Sequence, residues 1–216
     1  MAYDHEEEEQ LAAIKGWWNQ YGNLLTWLLI FALTIYAGWS GWNYYQNKQS
    51  AQASLLYEGL VKSVAAKDNI KILRSATDLQ IKFGKTPYAQ MGALAAAKSA
   101  FDANDINVAK SQLLWVIEHG SNEEYKAIAK LRLSGILLDI KSYDEALKLL
   151  ETNFPAQFAS LVADRKGDLF VLQNNNDAAR SSYQLAIEKI EQNSPIHTLI
   201  QMKLDALGGS IAKAAV

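Results

Sequence analysis

Apolar residues follow two patterns along this chain. Between Gly16 and Asn47 no side chain carries a formal charge, and Leu24 to Trp42 form a nearly continuous apolar run. At about 1.5 Å rise per residue, a run of roughly 20 residues crosses a hydrocarbon core of roughly 30 Å. From Ser50 onward the apolar positions recur at helical spacing, and turn signals interrupt them at short intervals. No stretch alternates with period two, so no sheet is expected. The fold class predicted is all-α: a single N-terminal transmembrane helix, then a solenoid of antiparallel helix pairs.

Aromatic residues bracket the apolar run, with Trp17, Trp18 and Tyr21 before it and Trp39, Trp42, Tyr44 and Tyr45 after it. Amphipathic rings at both ends suit the two membrane interfaces. A cleaved signal peptide would need a basic start, a shorter apolar stretch and small residues at a cleavage site. Here the start is acidic (Asp4, Glu6 to Glu9), and Trp39 and Trp42 crowd the small residues near them. The pattern therefore predicts an acidic cytoplasmic tail and interfacial segment at 1–22 and a transmembrane helix at 23–43. A domain at 44–207 and a C-terminal tail at 208–216 follow. Lys15 faces Lys48 and Lys62 across the span, so charge asymmetry says little about orientation. A short tail before the span and a large domain after it favour a cytoplasmic N-terminus. The run Glu6 to Glu9 reads as a solvated, disordered tail.

Beyond the span, helices are expected at about 50–66, 69–83, 87–103, 106–119, 123–140, 143–152, 155–173, 177–191 and 195–207. Asp105, Ser121 and Asn176 are candidate N-caps, and Pro87, Pro155 and Pro195 sit near helix starts, where a missing N–H is harmless. The helices repeat in pairs. Ala109, Ala146 and Ala179 each stand early in a second helix, about 33 to 37 residues apart, close to the period of tetratricopeptide repeats; Ala76 marks an earlier, weaker copy. The clearest copy runs from Ala163 through Phe170, Ala179 and Tyr183 to Ala186. Small residues at these positions let paired helices approach, and large ones fill the groove between pairs.

In such repeats the first helices line a concave face. The corresponding positions here are Met91, Leu94, Lys98, Phe101 and Asp102 in one copy, and Ile128, Leu131, Gly135, Leu138 and Asp139 in the next. A third copy supplies Leu161, Asp164, Asp168, Val171 and Leu172. The candidate protein-binding groove is the apolar part of this set: Met91, Leu94, Phe101, Ile128, Leu131, Leu138, Leu161, Val171 and Leu172. A largely apolar surface suits an apolar peptide or a partner helix. The same pattern equally allows these residues to be buried under the last helix or a curved neighbour. The Lys, Asn and Lys with which some repeats of this class hold a peptide carboxylate are absent.

Composition narrows the remaining classes. The formal net charge is -2, and the part after the span is close to neutral, without the basic excess needed to track phosphates, so nucleic acid is not an expected partner. Cysteine is absent, which removes disulfide and thiol chemistry. His5, His119 and His197 lie far apart, without metal-ligand spacing. Asp164 and Arg165 read as helix-surface charges. Gly208-Gly209 reads as a helix stop and no glycine-rich phosphate loop is present. No catalytic residue, metal or cofactor is expected.

Several segments carry a family resemblance. They begin with the acidic start followed by Ala13-Ile14-Lys15 and an aromatic pair, the span ending near Gly41-Trp42, and Ala51 to Tyr57. They continue through Gly92-Ala93-Leu94-Ala95, Leu131-Arg132-Leu133, Asp144 to Lys148, and Val162 to Asp168 leading on to Ala179-Arg180-Ser181, and end at Gln201 to Leu204. In order and spacing the chain resembles the ancillary subunits of the bacterial Sec translocon. That resemblance implies a single-pass protein of the bacterial inner membrane with a cytoplasmic N-terminus and a periplasmic repeat domain. It further implies association with Sec translocon subunits and with a membrane-anchored periplasmic chaperone of the prolyl-isomerase type, and contact with unfolded secretory polypeptides. It carries no catalytic residues, and the tail after Gly208 lies outside it. The alternative function is a membrane-bound regulator that sequesters a stress-signalling partner.

Overall fold

The structure, a computed structural model, describes residues 3–208. By its internal contacts the chain divides into two compact units, residues 1–49 and 50–216. The described part of the first unit is entirely helical and belongs to α1 (Tyr3–Ala65). The acidic run, expected to be disordered, is thus helical from Tyr3 onward. Glu, Gln, Leu and Ala are strong helix formers, and residues added to an existing helix avoid the cost of nucleation. Every side chain from Leu24 to Trp42 is exposed, so this is no core helix among the described residues. The apolar stretch is long and apolar enough to cross a membrane. Its two threonines satisfy themselves locally: the Thr26 hydroxyl donates to the Gly22 carbonyl at 2.7 Å and Thr34 donates to that of Ile30 at 2.8 Å. Neither therefore presents an unpaired hydroxyl in an apolar surrounding.

The second unit contains the end of α1 and then α2 (Asn69–Phe83), α3 (Pro87–Asp102), α4 (Ile106–His119), α5 (Glu123–Asp139), α6 (Tyr143–Leu150), α7 (Ala159–Leu172), α8 (Asn176–Lys189) and α9 (Pro195–Ala206). A 3-10 turn at Ala156–Phe158 leads into α7, and the described residues contain no strand. Four turns within helix pairs are built alike. Lys67, Asn104, Lys141 and Asn174 each adopt a left-handed conformation, with φ between 54° and 61°. Just after each, an amide bonds back across the end of the preceding helix: Asp68 to Ser63, Asp105 to Ala100, Ser142 to Leu137 and Asn175 to Phe170. This closure satisfies carbonyls that a helix end leaves free.

N-caps start the next helix in three of these turns, where Asp68, Asp105 and Asn175 accept from the amides of Lys71, Val108 and Ala178. Asp105 caps as expected. The expected cap Asn176 is already the first helical residue, displaced by Asn175, because the left-handed Asn174 ends the turn one residue earlier. Ser121 is displaced too: Asn122 caps α5 through Tyr125 at 2.9 Å, and the Ser121 hydroxyl instead accepts from Gln90 at 3.1 Å.

Three apolar clusters run along the unit. Ala53, Leu60, Ile72, Ala76, Leu79, Ala89 and Ala96 join α1, α2 and α3. A central cluster joins α3 through α7, and a third joins α7, α8 and α9 around Ala179, Tyr183, Ile200 and Leu204. Ala76, Ala109, Ala146 and Ala179 are each fully buried. Ala109, Ala146 and Ala179 are each the fourth residue of α4, α6 and α8, where a small side chain lets the first helix of the pair come close; Ala76 lies one turn further along α2, whose fourth residue is the buried Ile72.

Candidate functional site

Consecutive first helices pack on one another, α3 on α5 and α5 on α7, and a cavity of about 370 Å³ opens between them. Its apolar lining is Ala97, Phe101, Leu113 and Ile136; its charged lining is Lys98, Asp102, Arg132, Asp139 and Arg165. Gly135 completes it. Lys98 and Asp102 pair across one turn of α3 at 2.7 Å. The Arg132 guanidinium donates one N–H to the Leu94 carbonyl at 3.1 Å. Arg165 makes no ion pair or hydrogen bond among the described residues, and its Nε is buried without an acceptor. The guanidinium lies where a side chain at Gly135 would reach: a β-carbon there would sit 3.3 Å from Nη1.

The structure separates the nine expected groove residues. Phe101 lines the cavity and is 42% exposed. Leu94 (7% exposed) and Leu138 (5%) belong to the central core and cannot offer a binding surface. Ile128 and Leu131 are half-buried against that same core. Met91 and Leu161 are half-buried. Val171 and Leu172 are exposed near the end of α7, away from the cavity lining. Four of the nine thus face the central core, and the lining of the open cavity is of mixed charge. Leucines at the inner edge of a first helix turn into the stack because burial there removes apolar area from water. Sequence reasoning passed over Arg132. Its signal was available: Arg132 and Arg165 occupy the same place in successive first helices.

Asp164 and Arg165 are not the surface charges expected of them. Lys203 of α9 reaches over α7 to Asp164 at 2.8 Å and Asp168 at 2.7 Å, and the Tyr183 hydroxyl donates to Asp168 at 2.9 Å. Burial raises the pKa of the Asp164 carboxyl, with a further push from the Asp168 charge and an opposing pull from Lys203. Burial likewise pushes the Tyr183 phenol strongly upward, helped by Asp168. The last helix thus covers the third copy's inner face at Asp164 and Asp168, and leaves the cavity between α3, α5 and α7 uncovered.

Side-chain N-caps, left-handed turn residues, buried alanines about one repeat apart and a lined inner cavity define a scaffold of the tetratricopeptide-repeat class. Residues 15–209 match the family described as Tetratricopeptide repeat-like domain. The ancillary SecYEG translocon subunit of Neisseria gonorrhoeae is 34% identical over 211 residues, which cover 96% of this chain and all of that one. The proteins of the same name from Haemophilus influenzae and Escherichia coli are 30% and 28% identical, each over 207 residues and 96% of this chain, with 100% and 99% of their own lengths covered. The chain belongs to the family of ancillary SecYEG translocon subunits. That family, and an unburied apolar helix among the described residues, are consistent with a membrane location.

Proposed function

We propose that this chain is a membrane-anchored scaffold at the Sec translocon, holding partner proteins on the inner face of its helical repeats. One observation carries the reading: a single chain joins an apolar stretch long enough to span a bilayer to a repeat domain of a translocon-subunit family. In this reading the stretch at 23–43 is an uncleaved anchor in the bacterial inner membrane. The N-terminus is cytoplasmic and the domain at 44–207 is periplasmic. The partners are Sec translocon subunits, a membrane-anchored chaperone of the prolyl-isomerase type, and secretory or outer-membrane polypeptides still unfolded. Tethering near the channel raises the local concentration of the scaffold, so individually weak contacts suffice.

Site-specific photo-crosslinking in intact membranes tests this, with probes at Phe101, Leu131 and Val171 and identification of what is captured. Sec channel subunits or a periplasmic chaperone are expected. Capture of cytoplasmic signalling proteins alone would overturn both the orientation and the translocon role, and would favour a regulator that sequesters a stress-signalling partner.

A further inference from the structure

We propose that the cavity between α3, α5 and α7 recognises an acidic side chain carried on an extended segment of a partner polypeptide, with Arg165 and Arg132 reading the carboxylate. This rests on the scaffold reading and adds the chemistry of what its inner face accepts.

The two arginines stand one repeat apart and line the same cavity. A guanidinium carries five donors and no acceptor. Arg132 uses one of its donors on the Leu94 carbonyl. Arg165 has no partner among the described residues; its Nε is buried, so an occupant of the cavity meets its terminal N–H groups. The carboxylates nearest to it along α7 are committed elsewhere, since Lys203 holds both Asp164 and Asp168. A carboxylate meets the terminal N–H groups of a guanidinium with two parallel hydrogen bonds. Gly135 leaves the space in which the Arg165 guanidinium lies.

The lining charge sets the valence of the occupant. Three cations face two anions, Asp102 and Asp139, with Asp102 already held by Lys98. The single positive excess matches one carboxylate and not a doubly charged phosphate. Phe101, Leu113 and Ile136 in the same wall favour an apolar neighbour beside the acidic residue. A second cavity of about 460 Å³, lined by Val64, Lys67, Ile72 and Ser99 among others, adjoins the first at Lys98 and Asp102. The two cavities together leave room for an extended segment, and the Lys, Asn and Lys with which some repeats of this class clamp a terminal carboxylate are absent, so the carboxylate is assigned to a side chain.

The test uses the full chain in lipid nanodiscs and fluorescence anisotropy with labelled, end-blocked Ala-Leu-Glu-Phe-Ala and its Gln twin. The Glu peptide is expected to bind about tenfold tighter. That preference should vanish in Arg165→Gln, shrink in Arg132→Gln and persist in Lys148→Gln, with circular dichroism confirming that each variant is folded. Gly135→Ala crowds the guanidinium without removing its charge and should also reduce the preference. Equal binding of the two peptides, including no binding of either, would overturn the proposal, as would a preference that survives loss of both arginines. Tighter binding of the Gln peptide carrying a free C-terminal carboxylate than of the blocked Glu peptide would overturn the choice of a side chain. If the Phe101 crosslink to Sec subunits persists in a chain with no Glu preference, the scaffold reading stands and this inference alone falls.

Discussion

The Tyr183 ring fills the space that any side chain at Gly167 would need. A β-carbon on Gly167 would lie 2.8 Å from the ring's Cζ and closer still to Cδ1 and Cε1. The ring cannot swing away freely, because its hydroxyl is anchored on Asp168 and the residue is buried between α7, α8 and α9.

Gly167→Ala should therefore destabilise the chain by overpacking, by about 1–3 kcal/mol. The measurement is chemical denaturation of the wild-type and variant chains in the same detergent. In a Tyr183→Ala background the same substitution should cost much less, since the obstructing ring is gone. Equal costs in both backgrounds would mean that the contact does not govern the site.

Lys203→Met should loosen α9. Lys203 lies between two carboxylates that are only 13% and 26% exposed, and removing it leaves both without a cation, Asp168 keeping only the Tyr183 hydroxyl. A cost of roughly 1–3 kcal/mol is expected, below that of a fully buried pair because water still reaches the site. Hydrogen exchange should speed up in Pro195–Ala206 and hardly change in α3 to α5. Uniform acceleration across the unit would refute a local latch.

The Tyr183 phenol has a pKa raised by burial first and by Asp168 second. A group with a raised folded pKa contributes stability that is complete below its unfolded value, here 10.0, and is lost as pH climbs through the folded value. The stability difference between wild type and Tyr183→Phe should thus hold steady up to about pH 9 and shrink above about pH 10. Denaturant titrations across that range check it; a difference that grows with alkalinity would contradict the sign.

Lys141 sits in the left-handed region with φ 61°, a conformation that costs a side chain bearing Cβ but not glycine. Lys141→Gly should stabilise the chain by about 0.5–1 kcal/mol. Lys148→Gly, inside α6, should destabilise it by about 1 kcal/mol. Thermal melts of the two variants should move in opposite directions.

Local patterns in the sequence determined much of this protein. The uncharged window predicts an apolar helix because crossing hydrocarbon and lacking charge are the same requirement, and that stretch lies unburied within α1. The spacing of Ala76, Ala109, Ala146 and Ala179 announces paired helices, since close approach demands a small residue at each crossing. Helix starts were legible to within a residue at Pro87, Asp105 and Pro195, but not at Pro155, which opens a 3-10 turn ahead of α7. The choice between Ser121 and Asn122 was not, because Ser121 is drawn to Gln90 of α3, a residue 31 positions away.

Only tertiary structure decided which inner-face residues are surface. Leu94 and Leu138 share their repeat pattern with Phe101, yet packing of α3 against α5 buries the two leucines and leaves Phe101 at the cavity wall. Asp164 and Arg165 are neighbours in sequence with opposite fates: α9 brings Lys203 onto one and leaves the other facing the cavity without a partner. Periodicity reports the face on which a side chain lies. Whether another helix lands on that face depends on contacts between residues far apart in the chain, which no local pattern encodes.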